Sequence, residues 1–168
     1  IEARRRKPVE AEALLARAAG LAPRMGGIHV NLANLLREQG RHDEALARYD
    51  HVVGLGPVDV VVLLNRAGAL KHLGRHEDAL AALDAAIEAF PDSPRARFHR
   101  GWLSQKQGRP AAALADHDLG LALWDRGGRP ALPELVAVHT SRGLCLHAMG
   151  RPQESLAGFR AVLEIAPD

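Results

Sequence analysis

Glycines at positions 40, 74 and 108 stand 34 residues apart, and Gly150 follows after 42, the same interval with eight residues added. Each opens a near-copy of one phrase: Gly-Arg-His-Asp-Glu-Ala-Leu, Gly-Arg-His-Glu-Asp-Ala-Leu, Gly-Arg-Pro-Ala-Ala-Ala-Leu and Gly-Arg-Pro-Gln-Glu-Ser-Leu. A second series keeps the same phase, with Pro23, Pro57 and Pro91 also 34 apart, Asp125 in the next place and Pro167 42 residues later. Two independent markers in one register mean a repeated unit, and a unit this short covers its apolar face only by stacking on its neighbours.

Each unit reads as helix, turn, helix, turn. The glycine falls where a first helix ends and a positive φ is favoured; the proline falls just past the second helix, whose hydrogen-bond ladder it cannot continue. In the first complete unit His29, Leu32, Ala33 and Leu36 share the stripe predicted to be buried, with Val30, Asn31, Asn34, Arg37 and Glu38 on the stripe beside it. Small residues recur where helices must approach closely: Ala33, Ala67, Gly101 and Gly143 in the first helices, Ala45, Ala79, Ala113 and Ser155 in the second.

On these residues the chain resembles the tetratricopeptide repeat family, whose 34-residue unit carries a small residue in each helix, a glycine at the turn and a proline at the end. The resemblance implies one domain over residues 1–168: a partial repeat at 1–25, then repeats 26–59, 60–93, 94–133 with an insertion near 125–132, and 134–168. It implies an all-α, right-handed superhelical solenoid of antiparallel helix pairs with the first helices lining the concave face. The third unit departs most, with Ser104 and His117 at bulky apolar positions and Asp125 for proline. The segment from Trp124 to Pro133 is expected to give a longer helix, a Gly/Pro loop and a locally altered superhelix. Arg66, Arg100 and Arg142 stand where the first unit has Leu32, and arginine there can lay its aliphatic stem along the seam between helices with its head in water.

Motifs for chemistry are missing. There is no HExxH helix, Walker-type loop or GxGxxG after a strand, so no enzyme and no cofactor are expected. His72 and His76 are four apart but separated by a helix-ending glycine, Cys145 and His147 lie on different sides of one helix, and the Asp116-His117-Asp118 run reads as a surface or seam histidine. None has the geometry of a metal site.

The pI of about 9.1 invites a nucleic-acid reading, but the first seven residues carry +3, leaving residues 8–168 with 18 basic and 19 acidic groups. With 4% aromatic residues and a near-neutral body, nucleic acid is not the expected partner. No apolar run reaches the roughly 20 residues of a membrane span. A single cysteine, no Met start and no signal-peptide pattern lead to a cytoplasmic expectation for a segment of a longer protein.

The stripe beside the buried one is the candidate binding surface. It holds Asn31, Asn34, Arg37, Asn65, Lys71, Arg95, Phe98, His99, Trp102, Lys106 and Ser141. Arg37, Lys71, Arg95 and Lys106 against Glu38 give it +3, which favours an acidic segment. Its asparagines suit the backbone of an extended peptide, and Phe98 and Trp102 are read as apolar anchors. The expected function is a non-catalytic scaffold for a peptide or protein partner; the alternative is a substrate-recruiting arm of a larger enzyme such as a glycosyltransferase. Two family comparisons bear on the groove. The asparagine ladder of O-linked N-acetylglucosamine transferases is similar at Asn31 and Asn65 but is interrupted by His99 and Ser141, and the dicarboxylate clamp of chaperone-binding members is matched in type by Asn34, Asn65 and Arg95 but not by Val30 and His99. Phe159, Val162, Leu163 and Ile165 on the last helix are expected to lack cover, which implies self-association or a docking neighbour.

Overall fold

The computed structural model describes the backbone of residues 2–127 and 132–165, and the side chains of 9–127 and 134–164. Every regular element among them is helical: α1 (Glu2–Leu21), α2 (Gly26–Glu38), α3 (His42–Gly54), α4 (Val60–His72), α5 (His76–Ala89), α6 (Pro94–Lys106), α7 (Pro110–Gly127), α8 (Leu132–Ala148) and α9 (Pro152–Ile165). The fold is an all-α helical repeat. It divides into two compact units, Ile1–Ala82 and Leu83–Asp168.

The repeated glycines act through their backbone. Gly40, Gly74, Gly108 and Gly150 have φ between 71° and 78°, in the left-handed region where only glycine avoids a Cβ clash. The N–H of the following arginine reaches back to the third carbonyl from the helix end, Arg41 to Leu36, Arg75 to Leu70, Arg109 to Ser104 and Arg151 to Leu146, closing each first helix in a Schellman turn. The same arginines then start the second helices. Arg41, Arg75 and Arg151 pair with Glu44, Asp78 and Glu154 three residues on. Asp59 and Ser93 cap α4 and α6 through the backbone N–H groups of Val62 and Ala96.

In the first unit α2 packs on α1 and α3, and α4 on α2 and α3. The core-facing stripe of α2 is His29, Leu32, Ala33 and Leu36, with Tyr49 fully enclosed against it. His29 is tolerated because the Pro23 carbonyl accepts its Nε2–H at 3.0 Å and that of His51 at 2.8 Å. Burial and then the neighbouring His51 push the His29 pKa down.

In the second unit α6 packs on α7, and α8 on α6, α7 and α9. A Cβ on Gly101 would lie 2.6 Å from the His117 ring, and one on Gly143 2.7 Å from that of Phe159, so close approach demands glycine at both. At 18 residues α7 is longer than the 13 of α6, and its added length carries Trp124 over Phe98 and Val138. The loop expected after it falls in part outside the described residues.

The three seam arginines form a repeating device. Arg66 binds Asp50, Arg100 binds Asp84 at 2.7 Å, and Arg142 binds Asp118, each joining a first helix to the second helix of the preceding pair. The aspartates keep the 34-residue spacing. One repeat earlier, Leu32 replaces the arginine and Ala16 the aspartate, so charge and countercharge are missing together.

Candidate binding surface

In the first unit the polar positions of α2 and α4 meet. Asn65 donates Nδ2–H to Asn34 Oδ1 at 3.0 Å, and the same oxygen accepts the Tyr49 hydroxyl at 2.6 Å. Tyr49 rises from the core beneath them, so it fixes the Asn34 carboxamide from below while Asn34 and Asn65 stay half-buried. Burial pushes the Tyr49 phenol pKa up, against the opposing effect of Arg37. Asn31 and Lys71 are exposed and Arg37 is half-buried.

In the second unit the surface is differently built. Arg95 is exposed, and its guanidinium donates to Glu134 of α8 through Nη2 at 2.9 Å and Nε at 3.3 Å. Its charge is therefore balanced, and the net excess read from the sequence falls. Trp102 is partly buried, with His99 edge-on at 5.5 Å. Lys106 and Leu144 are exposed.

Two expected site residues belong to the core instead. Phe98 is completely buried, 5.6 Å from Trp124 between ring centres, in a space that Gly120 leaves open. Its counterpart one repeat back, Leu64, is buried as well, while Val30 and Thr140 in the same register are half-buried, so Phe98 itself offers no anchor. Ser141, 4% exposed, is the other correction. It donates to Gln105 Oε1 at 2.7 Å and so accepts the Nε2–H of His117 at 2.8 Å.

That polarity also decides against a nucleophilic serine. The His117 imidazole donates toward Ser141, and its Nδ1 is buried with no hydrogen-bond partner among the described residues, an atom less costly to bury as a bare nitrogen than as an N–H. Asp116 is held by Arg100. Burial outweighs the pull of Asp116 and Asp118 and pushes the His117 pKa down to about 4, so the ring is neutral near pH 7. Burial likewise raises the Cys145 thiol. No group of three or more potential metal ligands occurs among the described residues.

Sequence reasoning missed Tyr49 beneath Asn34 and Glu134 opposite Arg95. Neither pairing has a signal in the repeat, because both depend on which side chains meet between helices. Asp50, Asp84 and Asp118 did have one, the same interval as the glycines.

Two family models described as tetratricopeptide repeat match residues 3–64 and 64–124. Among solved structures, BtubC from P. vanneervenii is similar at a TM-score of 0.86 and 22% identity, over 96% of this chain and 74% of that one. A MamA fragment from Desulfovibrio magneticus RS-1 gives 0.80 at 20% identity, over 96% and 87%. YrrB gives 0.74 at 17% identity, over 99% and 81%. At these identities the likeness concerns the fold. No curated protein matches the sequence. No helix among the described residues is long and apolar enough to cross a membrane. The matched models together span most of the chain, and it belongs to the tetratricopeptide repeat family.

Proposed function

We propose that this chain is a non-catalytic scaffold that binds an extended, acidic peptide or protein segment on the polar faces of its first helices. The carrying observation is the Asn34–Asn65 pair, held by Tyr49. With its oxygen committed, Asn34 presents its amide N–H groups, and Asn65 presents its carbonyl, a donor and an acceptor suited to a peptide backbone. Arg37 and Lys71 beside them supply the attraction for acidic side chains, and Lys106 does so in the second unit. YrrB, one of the similar structures, is described as having an unusual peptide-binding site, which supports the same reading.

Selection from a displayed random-peptide library, followed by affinity measurement, tests this. A selected acidic peptide should bind Asn65→Ala about tenfold more weakly, a loss near that of one or two polar contacts. Arg48→Glu on exposed α3 should leave binding unchanged. Equal affinity for N65A and the unaltered chain overturns the reading.

Self-association is a second expectation, supported by exposed Val9, Leu14 and Leu21 on α1 and Leu163 on α9. Sedimentation at rising concentration tests it; a single monomeric species throughout counts against it.

A further inference from the structure

Arg37 and Lys71 occupy the same place in consecutive repeats, in the last turns of α2 and α4. Among the described residues no carboxylate forms an ion pair with either. The Nε of Arg37 and the Nδ1 of His42, the first residue of α3, are both buried with no hydrogen-bond partner among the described residues. The His42 ring lies nearly flat on that of His72, the exposed last residue of α4, with centroids 4.4 Å apart and planes 8° apart.

A helix C-terminus attracts one cation through its unpaired carbonyls, which accounts for Arg37 and Lys71 separately. It does not account for two imidazoles stacked beside them. Partial burial first, then Lys71, His42 and Arg37, push the His72 pKa down. Charged groups flanking these residues in the chain are Glu38, Arg41, Asp43 and Glu44 around His42 and Arg75, His76, Glu77 and Asp78 after His72; Glu44 is held by Arg41 and Asp78 by Arg75. A carboxylate arriving at Arg37 and Lys71 offsets the repulsion that they exert on His72. By linkage, whatever makes protonation easier on binding makes binding tighter on protonation.

We propose that the ends of α2 and α4 form a proton-coupled carboxylate site, in which Arg37 and Lys71 hold an acidic side chain of the bound peptide and His72, stacked on His42, takes up a proton as it arrives. This site rests on the peptide-binding reading above and adds to it a regulation, tighter binding at mildly acidic pH. Arg37 Nε and His42 Nδ1 are buried polar atoms with no hydrogen-bond partner among the described residues, although the Arg37 side chain also bonds Tyr49, and His72 is exposed to solvent.

The test is a nuclear magnetic resonance titration with a capped decapeptide of alternating Glu and Ala and with its Gln counterpart. The Glu peptide should shift Arg37, Lys71 and His72 resonances and the Gln peptide should not. Its Kd should fall about threefold or more between about pH 7.5 and about pH 5.5. In His72→Gln, at an exposed position, the ratio of the Kd values at the two pH values should fall to about one, whatever the absolute affinity. An equal Kd at both pH values, or a gain retained in H72Q, overturns the proposal. Shifts at Asn34 and Asn65 with none at His72 overturn this site alone, whereas no shift on the first helices with either peptide overturns the peptide-binding reading with it.

Discussion

Arg100 grips Asp116 with two parallel hydrogen bonds, Nε to Oδ2 at 2.8 Å and Nη2 to Oδ1 at 2.6 Å, while its Nη1 reaches Asp84 on the other side. Asp116 is 8% exposed in its side chain, so this contact joins α6 to α7 where water has little access to the carboxylate. The Asp116 hydrogen bonds, ahead of those to Asp84, hold the guanidinium charge even more firmly than usual.

Removing the buried carboxylate alone is therefore costly. Asp116→Ala should destabilise the chain by about 2–4 kcal/mol, because the half-buried Arg97 then loses its carboxylate and Arg100 keeps only the exposed Asp84. Asp84→Ala, at an exposed position, should cost about 0–1 kcal/mol. Urea unfolding of both variants measures the difference; equal losses would contradict the assignment.

Three glycine substitutions should part in sign. Gly101→Ala meets the His117 ring within 3 Å and should cost about 1–3 kcal/mol. Gly74→Ala, at φ +73°, should cost about 1–2 kcal/mol through backbone strain. Gly68→Ala within α4 meets nothing within 4 Å and should stabilise by about 0.5–1 kcal/mol through helix propensity. Thermal unfolding of the three variants checks the order.

His117 makes stability depend on pH. The unfolded chain protonates this ring near its ordinary value of 6.5, while the folded chain does so only at about 4. The unfolded state thus binds more protons between those values. Stability from this group is complete above about pH 6.5, falls as pH drops toward about 4, and amounts to about 3 kcal/mol in all. His117→Gln keeps a donor for Ser141 and removes the titration, so denaturation midpoints of H117Q should fall less steeply over that range. Identical slopes would show that His117 is not the group responsible.

The fold was legible because its signals are local and periodic. Gly40, Gly74, Gly108 and Gly150 each need a backbone shape that few residues adopt, and His29, Leu32, Ala33 and Leu36 follow a 3.6-residue stripe that one helix defines by itself. The candidate binding surface was legible only in part. Asn31, Asn34, Asn65, Lys71 and Lys106 could be placed by register, but Phe98 and Ser141 could not be separated from them, because their burial is decided by Gly120 and His117 on a different helix. Arg95 counted as a free charge until Glu134, 39 residues later, stood opposite it. Cross-helix partners have no periodicity unless they repeat, as Asp50, Asp84 and Asp118 do.

The most direct measurement is an amide chemical-shift map of the chain with and without a selected acidic peptide. Shifts are predicted on α2 and α4 around Asn31, Asn34, Asn65 and Lys71, and on α6 around His99, Trp102 and Lys106, with the outer positions of α3 and α7 unmoved. A footprint centred on α3 and α7, leaving Asn34 and Asn65 where they were, would contradict it.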